Sequence, residues 1–99
     1  MLQNFRTYQL SVEFYRAGQK IRMPKYLKDQ FDRASSSICL NLAEGSGKRT
    51  PKDQRRFYDI SLGSLRECQA ILGLIGNQSL TALADHLAAS TYRLCQSTS

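Results

Sequence analysis

The sequence of 99 residues lacks an uninterrupted apolar run of the length that crosses a membrane. A membrane-spanning helix needs roughly 20 consecutive apolar residues, and polar or charged side chains break every apolar stretch here well before that length. The segment from Met1 to Thr7 also lacks the charged and then apolar layout of a signal peptide. We therefore expect a cytoplasmic protein without a membrane partner. A chain of this length is expected to fold as one domain, residues 1–99, around a single core.

Residue types that commonly carry catalysis or bind metals are scarce. The chain has a single histidine, His86, and an odd set of three cysteines without a CxxC pair, so reduced thiols are expected and a zinc site is not. The segment 45–48, Gly-Ser-Gly-Lys, resembles a phosphate loop only weakly, because the Walker spacing and the preceding strand are missing. We find no nucleophile with a base, no catalytic carboxylate pair and no set of metal ligands. The sequence therefore predicts a non-enzymatic protein with no catalytic residue, metal site or cofactor.

Positive charge is concentrated in the middle of the chain. The formal net charge is +6, and residues 16–56 hold eleven of the fourteen basic and four of the eight acidic residues, a net charge of +7. This asymmetry favours a polyanion such as RNA or DNA as partner. The alternative is that the basic residues form an ordinary solvated surface.

Apolar residues recur at steps of three and four along four segments, which is typical of amphipathic helices. The segments are bounded by Gly18, by residues 45–47 with the start signal Thr50-Pro51, and by Gly76-Asn77. Thr50 is expected to cap the third helix, with Pro51 as its first residue. No alternating β pattern competes. The predicted helices cover about residues 3–17, 24–44, 51–75 and 78–95.

The same periodicity predicts which side chains face the core. The inward stripes are Phe5, Tyr8, Val12 and Tyr15 on the first helix; Leu27, Phe31, Ala34, Ile38 and Leu42 on the second; Phe57, Ile60 or Ser61, Ser64, Cys68, Ile71 and Ile75 on the third; and Leu80, Leu83, Leu87, Thr91 and Leu94 on the fourth. Some apolar residues fall outside these stripes, and the fourth helix carries few charges. We therefore hypothesise that the chain self-associates through the surfaces that carry Leu10, Phe14, Leu40 and Leu62 and through the fourth helix.

Four amphipathic helices joined by short loops predict an all-α fold, an antiparallel up-down-up-down four-helix bundle. With the turn between the second and third helices centred near Gly47, the register predicts that Ile38 lies near Phe57. By the same count Phe31 lies near Ser64, and Lys28 lies opposite Glu67.

Basic residues gather in two clusters that this topology separates by about 30 Å, at opposite ends of the bundle. A helix N-terminus that is surrounded by cations is a favourable site for phosphate. The basic cluster at the start of the third helix is therefore predicted to bind nucleic acid. Tyr58 lies beside this cluster and either stacks on a base or packs inside the bundle. We call this set the α3 cluster: Lys48, Arg49, Lys52, Arg55 and Arg56. The second set, the α2 cluster, surrounds the turn between helices one and two: Arg16, Lys20, Arg22, Lys25 and Lys28. Its members Lys20, Arg22, Lys25 and Lys28 are likewise predicted to bind nucleic acid. Either an extended ligand runs the length of the bundle, or an oligomer collects like ends into rings of charge. The acidic residues Asp29 and Asp32 are expected to pair with the basic residues around them.

A combined motif runs through the second and third helices. Residues 33–45 read Arg-Ala-Ser-Ser-Ser-Ile-Cys-Leu-Asn-Leu-Ala-Glu-Gly, Arg49 follows, and residues 62–67 read Leu-Gly-Ser-Leu-Arg-Glu. This pattern resembles the 23S rRNA intervening-sequence proteins, a family to which the accessory variability determinant of diversity-generating retroelements is similar. The resemblance implies a bacterial four-helix bundle that assembles into a homo-oligomeric ring, typically a pentamer, with a basic surface proposed to bind nucleic acid. Its retroelement relative also binds a reverse transcriptase.

The residues of this motif also have a structural interpretation. Gly63 and Ser64 are small residues that are expected to lie where the third helix contacts the second. Glu44 lies near a helix C-terminus and is expected to pair with a cation, for which Lys48 or Arg49 is nearest in sequence. Asn41 and Glu44 are interpreted as groups that anchor the loop, and the alternative is that they contact a partner. The full set of motif residues to which we assign a structural role is Arg33, Asn41, Glu44, Gly45, Gly63, Ser64 and Glu67.

Two functions remain open at this point. The first is an oligomeric accessory protein that binds RNA or DNA through its basic residues. The second is a scaffold for protein interactions that docks an acidic partner such as a reverse transcriptase.

Overall fold

The computed structural model describes residues 2–98, which form four α-helices and one short 3-10 turn. The turn spans Leu2–Asn4, and the helices are α1 (Arg6–Gly18), α2 (Lys25–Ser46), α3 (Pro51–Leu74) and α4 (Thr81–Ser97). No strand occurs within this range. The all-α four-helix fold is therefore confirmed, with a long axis of 40 Å. Within residues 2–98, no helix is long and apolar enough to cross a membrane.

The helix boundaries follow from local hydrogen bonding. Thr50 Oγ1 accepts a bond from the Asp53 N–H, which confirms the predicted cap of α3. At the other end of α3, Gly76 adopts φ +70°, and the next N–H bonds back to the Leu72 carbonyl, so a residue without Cβ is favoured there. The side-chain oxygen of Asn77 then accepts from the N–H groups of Ser79 and Leu80. This turn delays the start of α4 to Thr81, later than the sequence predicts.

The buried face of α1 differs from the predicted stripe. Leu10 is 2% exposed and Phe14 is fully buried, whereas Tyr8, Val12 and Tyr15 are only half-buried. The ring of Phe14 packs on that of Phe31, with centroids 6.0 Å apart. The predicted role of Leu10 and Phe14 in self-association is therefore wrong. Both side chains belong to the core that the other helices enclose.

The stripe of α2 is largely as predicted, but that of α3 is rotated. Phe31, Ala34, Ile38 and Leu42 are all buried. On α3 the inward residues are Tyr58, Ser61, Leu65, Cys68, Ile71 and Leu72, while Phe57, Ser64 and Ile75 are half-buried and Ile60 is exposed. The stacking role considered for Tyr58 is thus excluded, since its side chain is 4% exposed and contacts the ring of Phe5.

Hydrogen bonds set the register of α2 against α3. Ser61 Oγ donates to the Ile38 carbonyl over 2.8 Å, and the hydroxyls of Ser37 and Ser64 lie 2.9 Å apart. The sequence predicted Phe57 opposite Ile38 and Phe31 opposite Ser64, so the predicted register is wrong by at least one helical turn. The reason is that α2 continues through Gly45 to Ser46, which moves the turn further along the chain.

Small residues allow the helices to approach closely. A Cβ built at Gly45 would lie 2.6 Å from Tyr58 Cε1 and 3.2 Å from Phe57 Cβ. Buried hydroxyls in the same core donate to backbone carbonyls of their own or a neighbouring helix, as Ser11, Ser35, Ser61 and Thr91 do. Because these polar groups are satisfied, their burial carries little penalty.

Candidate nucleic-acid interface

The start of α3 carries the α3 cluster, but its backbone offers an anion few free donors. Pro51 has no N–H, the N–H of Asp53 bonds to Thr50 Oγ1, and that of Gln54 bonds to the Thr50 carbonyl. The carboxylate of Asp53 also lies in the first turn of the helix, where it complements the positive end of the macrodipole. Any binding of phosphate at this end has to depend on the basic side chains.

Phe57 lies at the centre of the α3 cluster. Lys48 Nζ is 5.1 Å from the centre of its ring, and Arg56 Cζ is 5.5 Å from the same point. Both distances are within the range of a cation–π contact. The ring therefore holds two cations of the cluster near each other, on a side chain that the sequence assigned to the core.

Lys48 also forms an ion pair with Glu44. Its Nζ lies 3.1 Å from Glu44 Oε2, and the pair is partly solvent-exposed. This contact confirms that Glu44 takes a cation and selects Lys48 over Arg49. Because Lys48 contacts both a carboxylate and a ring, it is positioned and partly neutralised before any ligand binds.

Arg55 is likewise paired within α3. Its Nε lies 3.6 Å from Asp59 Oδ2, and both groups lie near Cys95 of α4. Burial, with a further contribution from Asp59, raises the pKa of the Cys95 thiol to about 11. The C-terminal end of α4 therefore packs beside the start of α3.

Arg49 and Lys52 are the unpaired members of the α3 cluster. Both side chains are exposed, and within residues 2–98 neither takes part in an ion pair, a side-chain hydrogen bond or a ring contact. They are thus the two cations of this cluster that can reach a ligand without breaking an existing contact.

The α2 cluster also contains both paired and unpaired cations. Lys25 pairs with Asp29 at 3.3 Å and Lys28 pairs with Asp32 at 2.9 Å, so the predicted charge pairing of both acids is confirmed. The predicted position of Lys28 opposite Glu67 is wrong, because Lys28 instead donates to the Gly18 carbonyl at the end of α1. A cation at a helix C-terminus is favourable. Lys28, whose side chain is 25% exposed, thus joins α1 to α2.

The remaining members of the α2 cluster are exposed: Arg16, Lys20 and Arg22. Lys25 and Lys28 lie in the first turn of α2, whereas Lys48 follows its last residue, Ser46. The 22 residues of this helix span about 33 Å. The two clusters therefore lie at opposite ends of α2, and the fold does not bring them together.

The motif residues divide into two groups. Glu44 pairs with Lys48, Gly45 contacts Tyr58, and Ser64 meets Ser37, all of which are structural roles. Asn41 also has one, but its Nδ2 donates to the carbonyl and hydroxyl oxygens of Ser37 on its own helix. Its predicted role as a loop anchor is therefore wrong.

Three other motif residues do not show the structural role that was predicted for them. Gly63 is exposed, and a Cβ there would meet nothing within 4 Å, so its predicted place at the α2–α3 contact is wrong. Arg33 and Glu67 are exposed as well. Within residues 2–98 their side chains form no ion pair or hydrogen bond. These residues require an explanation outside the monomer core.

The possible metal ligands of the chain are its His, Cys, Asp and Glu side chains. Among residues 2–98, no group of three or more His, Cys, Asp or Glu side chains is placed to hold a metal ion. The three cysteines are free thiols, of which Cys68 and Cys95 are buried.

Fold and charge together define a small four-helix bundle with a cationic cluster at each end. The chain belongs to the family of 23S rRNA-intervening sequence proteins, whose family model matches residues 3–98. Comparisons with curated proteins and with solved structures gave no match.

Proposed function

We propose that this chain is a non-enzymatic accessory protein that binds nucleic acid, RNA or DNA, and that it acts as a homo-oligomer. One observation carries the proposal. Arg49 and Lys52 are exposed and unpaired beside a ring that holds Lys48 and Arg56 in place. Phosphate groups bind such clusters because each contact releases condensed counterions.

The mechanism rests on charge and involves no covalent chemistry. Arg49 and Lys52 make the first phosphate contacts, and Lys48 and Arg56 follow at the edge of Phe57. Because these contacts are made to the backbone of the nucleic acid, they give the protein little sequence specificity. The name of the family points to the 23S rRNA insertion as a source of the ligand, and a structured RNA is the first probe to use.

Oligomerisation is part of the proposal because the two clusters of one bundle lie too far apart to form a single groove. A ring of parallel bundles, such as the pentamer that the resemblance implies, collects the α3 clusters of all copies on one rim. Rings of this kind bind cooperatively through many weak contacts.

The test is a titration of a fluorescent RNA hairpin at about 100 mM salt and at several higher salt concentrations. We expect the double variant Arg49→Glu/Lys52→Glu to lose about tenfold or more in affinity and to show a shallower salt dependence. A matched control, Arg66→Glu/Arg93→Glu, makes the same change in charge outside both clusters. If the wild type does not bind, or if both variants lose affinity equally, the α3 cluster is not the binding site.

A protein-interaction scaffold is the second candidate. It is favoured by large apolar side chains on the surface, among them Leu40 at 68% and Leu74 at 76% exposure, which are available to a partner protein. The acidic partner expected for such a scaffold is a polymerase such as a reverse transcriptase. A pull-down treated with nuclease separates the two functions, because only the scaffold keeps its partner.

A further inference from the structure

A pocket lies at the end of the bundle that carries the α3 cluster. We call it the Tyr58 pocket; its volume is about 330 Å³, and it is lined by Asn4, Phe5, Ser46, Gln54 and Tyr58. Asn4 and Phe5 directly precede α1, and Ser46 is the last residue of α2. Gln54 and Tyr58 belong to the first turns of α3. The ends of three helices therefore meet around this pocket.

The hydroxyl of Tyr58 is a polar group without a partner in the protein. The side chain is 4% exposed, and its ring contacts Phe5 and Gly45. Within residues 2–98 the hydroxyl forms no hydrogen bond. In the same range no polar side-chain atom is both fully buried and without a partner. The hydroxyl therefore reaches solvent, and the pocket is where Tyr58 lines the surface.

The other polar groups of the pocket are also available to a ligand. The side-chain amides of Asn4 and Gln54 form no hydrogen bond with any of residues 2–98. Ser46 Oγ donates to the Ala43 carbonyl, which leaves the lone pairs of this oxygen free to accept. The pocket thus offers two amides and two hydroxyls, and none of its five lining residues carries a charge.

This composition selects a class of ligand. The oxygens of a phosphate only accept hydrogen bonds, and they are better matched by the cations outside the pocket. The edge of a nucleobase carries donors and acceptors side by side, which the amides of Asn and Gln match in pairs. The half-buried ring of Phe5 adds an aromatic surface on which a base can pack. The pocket therefore favours a base over a phosphate.

The position of the pocket connects it to the α3 cluster. Ser46 lies two residues before Lys48, and Tyr58 directly follows Phe57. The ring of Phe57 holds Lys48 and Arg56. A base and its own phosphate are separated by a single sugar. A strand whose phosphates contact the cluster can therefore place one of its bases at the pocket.

We infer that the Tyr58 pocket binds one unpaired base of the nucleic acid whose phosphates contact the α3 cluster. The Tyr58 ring stays in the core, and its hydroxyl bonds to the edge of the base together with the amides of Gln54 and Asn4. Base edges are already paired in a duplex, so the ligand is a loop, a bulge or a single-stranded segment. This inference rests on the proposed function and adds a site at which a base is recognised.

The test compares two RNA hairpins at about 100 mM salt, one with a single bulged adenosine and one with an abasic residue at the same position. The hairpins have the same phosphates, so a difference in affinity reports the base alone. Adenine is the first base to use, because Asn and Gln amides bind its N6 donor and N7 acceptor together. We expect the wild type to bind the adenosine hairpin about tenfold more tightly than the abasic one.

Two variants remove polar groups from the pocket. Tyr58→Phe removes only the hydroxyl and keeps the ring against Gly45, and Gln54→Leu replaces the amide by an apolar group of similar size. We expect each variant to weaken binding of the adenosine hairpin by about fivefold, which is one lost hydrogen bond. Binding of the abasic hairpin is expected to stay within about twofold of the wild type, because the lost group has no base to contact there.

The control is Tyr15→Phe, which removes the hydroxyl of a half-buried tyrosine of α1 outside the pocket. We expect it to leave the binding of both hairpins unchanged, and circular dichroism verifies that every variant is helical. Equal affinity of the wild type for the two hairpins overturns the inference and leaves the proposed function standing. Variants that weaken both hairpins to the same extent overturn it as well. If the wild type binds neither hairpin, the proposed function is wrong and the inference fails with it.

Discussion

Gly45 lies against the ring of Tyr58 so closely that a Cβ at this position would stand 2.6 Å from Tyr58 Cε1. The contact joins the last turn of α2 to the first turns of α3. Because Tyr58 is itself buried and packed on Phe5, its ring has little room to move. The glycine of the family motif is therefore required here by packing.

Replacing Gly45 by alanine is expected to destabilise the protein by about 1–2 kcal/mol. Alanine favours a helix interior by about 0.5–1 kcal/mol over glycine, but overpacking of a core costs about 1–3 kcal/mol, and the overlap with Tyr58 decides the sign. Urea unfolding followed by circular dichroism measures the change. The matched control is Gly63→Ala, which meets nothing within 4 Å and should stabilise the protein by about 0.5–1 kcal/mol. Equal effects of the two variants would contradict this account.

Truncation of Phe14 tests which side of α1 faces the core. Phe14 is fully buried on Phe31, so Phe14→Ala is expected to lower the free energy of unfolding by about 3–5 kcal/mol. Val12→Ala removes a half-buried side chain from the stripe that the sequence favoured, and we expect a loss of about 1 kcal/mol or less. Thermal or urea unfolding ranks the two variants. A larger effect at Val12 would restore the sequence-based assignment.

Neutralising Glu44 is expected to strengthen RNA binding with little change in stability. Glu44→Gln releases Lys48 from its ion pair, but exposed pairs contribute only about 0–1 kcal/mol and an acid near a helix C-terminus is unfavourable. The freed cation should add up to one phosphate contact, which steepens the dependence of log affinity on log salt by about 0.7–0.9. Glu13→Gln on α1 makes the same change in charge away from the cluster and serves as control. Binding that is identical for both variants would argue against a role for Lys48.

The buried thiols predict how stability depends on pH. Burial, with a smaller effect of Glu67, raises the pKa of Cys68 from 9.0 to about 12, and burial also raises the pKa of Cys95 to about 11. A raised pKa means that the folded state holds its protons more tightly than the unfolded state. The stabilisation is therefore complete below about pH 9 and is lost as pH rises through the range 9 to 12.

Urea unfolding in reducing buffer from about pH 8 to pH 11 measures this loss. Lysines and tyrosines titrate in the same range, so the comparison is with Cys68→Ala. We expect the free energy of unfolding of the wild type to fall more steeply above pH 9 than that of the variant. Parallel curves would show that Cys68 does not contribute.

Local signals in the sequence account for much of the architecture. Thr50-Pro51 and Gly76-Asn77 mark the ends of α3 because a cap hydrogen bond and a positive φ are properties of a few consecutive residues. The stripe of α2 was also predictable, since Phe31, Ala34, Ile38 and Leu42 recur at steps of three and four. The ion pairs of Lys25 and Lys28 follow from spacings of four along one helix.

Residues whose role depends on another helix were assigned less well. Phe57 and Tyr58 are consecutive aromatic residues, and either one can face inward on a helix considered alone. The contact of Tyr58 with Gly45 and Phe5 selects Tyr58, which leaves Phe57 at the surface with Lys48 and Arg56. The ring at the centre of the basic cluster was therefore missed, although an aromatic residue directly after Arg55-Arg56 was a visible signal.

The sequence by itself determined that this protein is four helices, where α2 and α3 lie, and that the positive charge falls into two clusters. These properties depend on neighbours within about one helical turn. The tertiary structure alone decided which side of α1 is buried, the register of α2 on α3, and which cations remain free. Such choices depend on how side chains fit between helices, because a helix with apolar residues on two sides has no preferred face until its neighbours supply one.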